Sequence, residues 1–91
     1  MSKNQFALNK KRTRNNFKLH AMDRLRERYG IDLNDEGWID FKNQMYRAKF
    51  LKKQYNNRTV RELEYEGKNV ILIWDSAYGE VVTIIPPGGY F

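Results

Sequence analysis

Val60-Arg-Glu-Leu-Glu-Tyr-Glu-Gly-Lys-Asn-Val-Ile-Leu-Ile-Trp74 is the stretch whose reading decides the fold. Val60, Leu63 and Tyr65 mark one strand, and Glu66-Gly67-Lys68 reads as its turn. Asn69 to Trp74 is then a near-continuous β-branched and aromatic run. Such a run suits a central strand buried on both faces. Downstream, Asp75 to Gly79 reads as a second turn. Val81, Val82, Thr83, Ile84 and Ile85 form another buried strand, closed by Pro86-Pro87-Gly88-Gly89. A weaker strand is expected around Phe50 to Tyr55, just where the apolar period changes from helical to alternating.

Upstream of that change the spacing is helical. Phe17, Ala21, Met22, Leu25 and Tyr29 recur at intervals of three and four, so a helix is expected from Asn15 or Asn16. Gly30 supplies its left-handed stop. Asn34 reads as the N-cap of a second helix, with Asp35 and Glu36 in the first turn, where negative charge suits the helix dipole. Leu33 and Trp38 occupy the positions of a hydrophobic staple. Trp38, Phe41, Met45 and Ala48 extend the stripe, so this helix is expected from Asp35 to Lys49. The fold class is α+β: two N-terminal helices packed on a three- or four-stranded antiparallel sheet. With 91 residues there is one core. The expected organisation is a flexible basic arm, residues 1–14, followed by a single α+β domain, residues 15–91.

Composition narrows the chemistry. The chain has no cysteine, which removes disulfides, thiolate metal sites and a cysteine nucleophile together. One histidine and no cysteine argue against a zinc site. No apolar run approaches the ~20 residues of a membrane helix, and no secretory h-region is visible. The net charge is +6. Lys3, Lys10, Lys11, Arg12, Arg14 and Lys18 account for all of it, because residues 1–18 hold no acid and residues 19–91 balance. A basic, acid-free arm suits either a phosphate-rich partner or an ordinary solubilising tail. Lys10, Lys11, Arg12, Arg14 and Lys18, joined by Arg28, Arg58 and Arg61, are the candidate nucleic-acid contacts.

The most informative constellation lies on the first helix. With Phe17 at zero and about 100° per residue, Ala21, Leu25 and Tyr29 fall at about 40–120°. His20 and Arg24 fall at about 300° and 340°, stacked on one flank of the apolar stripe. An imidazole moves protons near neutral pH, and a guanidinium clamps phosphate oxygens. Both also fit a bland boundary role, with Arg24 pairing with Glu27 or Glu36. Thr83 interrupts an apolar strand, either simply as a good strand former or because its buried hydroxyl meets a partner, such as the imidazole. Tyr46, Tyr55, Tyr65 and Tyr78 offer rings for base stacking or for the core. Asp75 at a strand end suits a turn cap or a base. There is no phosphate-cradling glycine loop.

His20-Ala-Met-Asp-Arg24-Leu-Arg-Glu-Arg28-Tyr-Gly-Ile31, a second helix, and a meander ending Leu72-Ile-Trp-Asp75 and Val81-Val-Thr83-Ile-Ile-Pro86-Pro resemble small phage and mobile-element proteins. These belong to the barnase–EndoU–colicin–RelE superfamily of metal-independent ribonucleases and toxins. The resemblance covers about residues 16–87. It implies N-terminal helices on a four-stranded antiparallel sheet, and carries over His20, Arg24 and Thr83 as catalytic candidates. It departs from RelE-type toxins, whose basic and tyrosine residues on the sheet find no aligned counterpart here. The implied activity is RNA cleavage by 2′-hydroxyl attack, without metal or cofactor, in the cytoplasm of a bacterial or phage-infected cell. The implied partners are RNA, such as tRNA or mRNA, and a host protein or antitoxin. The alternative is a catalytically inactive small phage protein that binds nucleic acid or inhibits a host protein.

Overall fold

The computed structural model describes residues 3–89. Two helices come first: α1 (Lys3–Tyr29) and α2 (Asp35–Asn43). A single 3-10 turn (Met45–Arg47) leads into β1 (Lys49–Lys53), β2 (Arg58–Tyr65), β3 (Lys68–Asp75) and β4 (Glu80–Ile85). The strands form one antiparallel meander in the order β1-β2-β3-β4.

Two expectations about the helices are corrected. The segment expected as a flexible arm is helical from Lys3, and α1 runs unbroken through Asn15 and Asn16. Residues 3–14 contain no proline or glycine and are mostly strong helix formers, so a helix already nucleated downstream propagates through them. The second helix stops at Asn43 rather than Lys49. Met45 and Ala48 keep the apolar spacing, but the chain tightens into the 3-10 turn that lets Lys49 enter the sheet.

The local signals otherwise hold. Gly30, at φ +68°, ends α1 in an αL motif, with Gly30 N donating to Arg26 O, and Ile31 N donates to Leu25 O. Lys68 Nζ, from β3, donates to Tyr29 O at the same helix end, where a cation opposes the negative pole of the dipole. The Asn34 side chain accepts from Gly37 N at 2.8 Å, as an N-cap should. Glu66 and Gly67 both adopt positive φ between the paired residues Tyr65 and Lys68. That is the two-residue hairpin geometry whose twist matches the strands.

The core lies between the helices and one face of the sheet. Ala21, Leu25, Tyr29 and Ile31 meet Trp38, Phe41 and Met45 over Leu63, Val70, Leu72, Val81 and Ile84. Each large apolar side chain so buried contributes about 1.5–3 kcal/mol. Trp38 stacks on Phe41 at 5.3 Å, and Phe41 meets Tyr65 edge-on at 5.0 Å. The central strand departs from burial on both faces. Val70, Ile71 and Leu72 are buried, whereas Ile73 and Trp74 are half-buried and Asn69 is exposed. In β4 a bulge opposite Ile73 and Trp74 skips Val82 in the pairing. Val81 and Ile84, three residues apart, thereby share the core face, which a regular strand of period two forbids. Tyr90-Phe91, an aromatic pair whose sequence suggests docking on the core or on a partner, lies outside the described residues.

Candidate functional site

α1 packs along β4, the edge strand of the meander. Three consecutive residues of β4 meet three side chains of α1. His20 Nε2 lies 3.1 Å from Thr83 Oγ1, joining groups 63 residues apart in sequence. Arg28 donates through Nη1 to Ile84 O. The Tyr29 hydroxyl donates to Ile85 O at 2.7 Å and accepts from Ile71 N at 3.2 Å. One phenol therefore completes both β3 and β4, standing where a direct interstrand bond would otherwise be. Burial raises the Tyr29 pKa, the nearby Glu62 charge adds to this, and the Ile71 N–H and Arg28 act against it.

His20 is exposed and Thr83 half-buried. With Nε2 directed at Thr83, Nδ1 is left for another partner. Arg24 stands one turn beyond His20, and its Nη1 contacts Glu27 Oε2 at 2.7 Å. An exposed pair of this kind is worth about 0–1 kcal/mol, so an incoming phosphate can displace it. The expected hydroxyl–imidazole contact is thus present, with Arg24 adjacent on the same flank.

The strand arginines stand elsewhere. Thr83 pairs with Ile73, which pairs with Val60, whereas Arg61 belongs to the neighbouring row with Leu72 and Ile84. Adjacent rows face opposite sides of a sheet, so Arg61 does not reach the His20–Thr83 pair. Its Nε donates instead to Thr59 Oγ1 at 2.9 Å. Arg58 donates to Asp75 Oδ2 at 3.2 Å, its guanidinium 5.7 Å from the ring centroids of both Phe17 and Tyr55. Asp75 Oδ1 accepts from Ala77 N and Tyr78 N, so this carboxylate is a turn cap.

The basic residues of the first half of α1 divide in two. Lys10 sits over the Tyr78 ring at 5.8 Å. Lys11, Arg12, Arg14 and Lys18, with Asn15 and Glu80, line an open cleft of about 630 Å³. Lys18 pairs with Asp35 at 2.9 Å. Lys11, Arg14 and Lys18 fall at about 60–120° on the helix, the phase of Ala21, Leu25 and Tyr29. The phase that is apolar and packed from Ala21 to Tyr29 is therefore cationic and open at Lys11, Arg14 and Lys18. This cleft lies on the flank opposite His20.

Glu80 went unnoticed in the sequence. It is 3% exposed, and it accepts from Trp38 Nε1 at 3.1 Å and from Lys42 Nζ at 3.0 Å. It thereby ties α2 to the start of β4. Nothing in the local pattern distinguishes it from any other acid beside a turn. Among the described residues, no group of three or more His, Asp or Glu side chains converges as metal ligands would. No helix among them is long and apolar enough to cross a membrane. Compared with known proteins, the chain matches no family model, no curated protein and no solved structure.

Proposed function

We propose that this chain is a metal-independent endoribonuclease of the barnase–EndoU–colicin–RelE kind, with His20 as its proton-transfer group. The observation that carries the reading is the 3.1 Å contact between an exposed imidazole and the Thr83 hydroxyl. That contact orients the ring and leaves Nδ1 available. The imidazole takes the proton of a ribose 2′-hydroxyl, whose oxygen attacks the adjacent phosphorus. As the new P–O bond forms, the bond to the 5′-oxygen breaks, and the imidazolium returns the proton to that leaving oxygen. The products are a 2′,3′-cyclic phosphate and a 5′-hydroxyl. Arg24, released from Glu27, balances the charge that builds on the non-bridging oxygens.

A second reading, a nucleic-acid-binding protein without catalysis, is favoured by one observation. The cationic cleft of α1 and His20 lie on opposite flanks of the helix, so a ligand held in the cleft does not pass directly over the imidazole. The two readings separate on incubation with total tRNA and a defined RNA oligomer in EDTA. The ribonuclease reading expects wild type to leave cyclic-phosphate ends and His20→Ala to leave the RNA intact. RNA bound but uncut by both proteins would establish the binding reading instead.

A further inference from the structure

Residues 41–61 hold Lys42, Arg47, Lys49, Lys52, Lys53, Arg58 and Arg61 and no acid. Three of the large apolar side chains left in solvent also belong to this segment: Tyr46 is 83% exposed, Phe50 56% and Tyr55 62%. The segment builds β1, which ends the sheet with no strand beyond it among the described residues. We propose that the β1 edge is a binding surface for single-stranded nucleic acid, stacking bases on Tyr46, Phe50 and Tyr55. The surface is separate from His20, because β1 and β4 are opposite edges of the sheet.

Register shows how charge and rings are sorted. Phe50 pairs with Arg61 and Lys53 with Thr59, so these four residues share one face. Glu62 and Glu64 take the alternate positions of β2 and stand on the other face. Phe50 is therefore flanked by cations on its own side, with the nearest acids of β2 turned away. Lys49 stands opposite Glu62, whereas Lys52 and Lys53 stand opposite Val60 and Thr59 and pair with no carboxylate among the described residues, which leaves their charge for a partner. Tyr55 stands in the turn after β1, with the Arg58 guanidinium against its ring. Arg47, beside Tyr46, donates to Glu64 O and so holds the 3-10 turn against β2.

Exposed rings interleaved with unpaired cations fit a polyanion whose bases present π-faces. A duplex keeps those faces stacked on one another and offers only its backbone. The cleft of α1 carries comparable charge but has the buried Glu80 carboxylate in its wall, and Lys18 is already paired with Asp35. A second copy of this chain is disfavoured at β1 by the repulsion between its lysines and their counterparts.

The test uses the full chain and a fluorescein-labelled single-stranded oligodeoxynucleotide of about 12 nucleotides, read by anisotropy. This probe has no 2′-hydroxyl, so its binding is measured independently of any cleavage. The expected result is that Tyr46→Leu/Phe50→Leu, which keeps apolar bulk and removes the rings, binds the probe at least tenfold more weakly than wild type. Wild type should prefer the single strand to a duplex of the same length, and the variant should lose that preference. Lys52→Gln/Lys53→Gln should reduce the slope of log affinity against log salt by about 1.4. Thermal unfolding of both variants should match wild type, since the altered side chains are in solvent. Wild-type affinity in the leucine variant would overturn the proposal. So would equal binding of duplex and single strand by wild type, or displacement of the probe by oligoglutamate as readily as by unlabelled oligonucleotide. That last result would assign the edge to an acidic protein.

Discussion

At one edge of the sheet, α1 lies along β4, and side chains of the helix reach three successive residues of the strand. At the other edge, β1 is almost wholly exposed, and its lysines and Phe50 project from a strand with no outer neighbour among the described residues. The two edges are the first and fourth strands of one small sheet, yet they solve the edge problem by different physics. Covering an edge with a helix gives it stability and lets a side chain bond an outward carbonyl, as Arg28 does with Ile84 O. Studding an edge with lysine leaves it open and prevents another strand from pairing, at little cost or gain in stability. A covered edge holds a few groups in fixed geometry, as proton transfer requires. A bare, charged edge presents many weak contacts, as binding a flexible polymer requires.

Four measurements sharpen or break this contrast. The largest effect is expected for His20→Ala, which should lower RNA cleavage by at least about a hundredfold, the usual contribution of a positioned acid–base group. Its unfolding temperature should barely change, because the imidazole is exposed. If cleavage persists, the covered edge is structural only. Next is Leu25→Ala, which empties a fully buried site between α1 and the sheet and should cost about 2–5 kcal/mol in urea unfolding.

Tyr29→Phe comes third. It strands the Ile71 N–H and the Ile85 carbonyl, at about 1–3 kcal/mol. It should also change the alkaline limb of stability. Burial favours the neutral phenol in the folded state and raises its pKa, so the unfolded chain gives up its proton first. The stability this provides is complete below the ordinary phenol value of about 10 and is lost as pH rises beyond it. Tyr29→Phe should therefore unfold with a flatter pH dependence above that value, although Tyr65, raised by burial and by its bond to Asp40, leaves a residual slope. The smallest effect is expected at β1. Phe50→Ala should alter stability by no more than about 0.5 kcal/mol. A loss comparable to that of Leu25→Ala would show that the two edges are not so different.

Much of this architecture was legible in the sequence, and the gaps have physical causes. Alternation and turn chemistry located β2, β3 and the hairpin at Glu66-Gly67. The Asn34 cap and the Gly30 stop bracketed the helix connection to the residue. The lone hydroxyl in Val81–Ile85 pointed to its imidazole partner. The start of α1 was missed because periodicity reports burial, and from Lys10 to Asn16 the helix is mostly exposed and carries no apolar period. The end of α2 was misread because Met45 and Ala48 remain in phase through a 3-10 turn. The charge asymmetry of the sheet was hidden by arithmetic. Residues 19–91 balance to zero, yet residues 41–61 hold seven bases and no acid, while residues 62–80 hold five acids and one base.

The continuity of α1 has one more consequence. Its second half is nucleated by the core, so each residue added toward the N-terminus needs only propagation, a step whose equilibrium constant is near one for good helix formers. From Lys10 to Asn16 the helix is mostly exposed, so this stretch melts ahead of the packed half on warming. Far-ultraviolet ellipticity at 222 nm should therefore decline gradually well below the cooperative transition, in proportion to the turns that lie beyond Phe17. A polyanion that neutralises Lys11, Arg12 and Arg14 would relieve their mutual repulsion and flatten that decline. The length of the helix at a given temperature would then report how much of the ligand is bound.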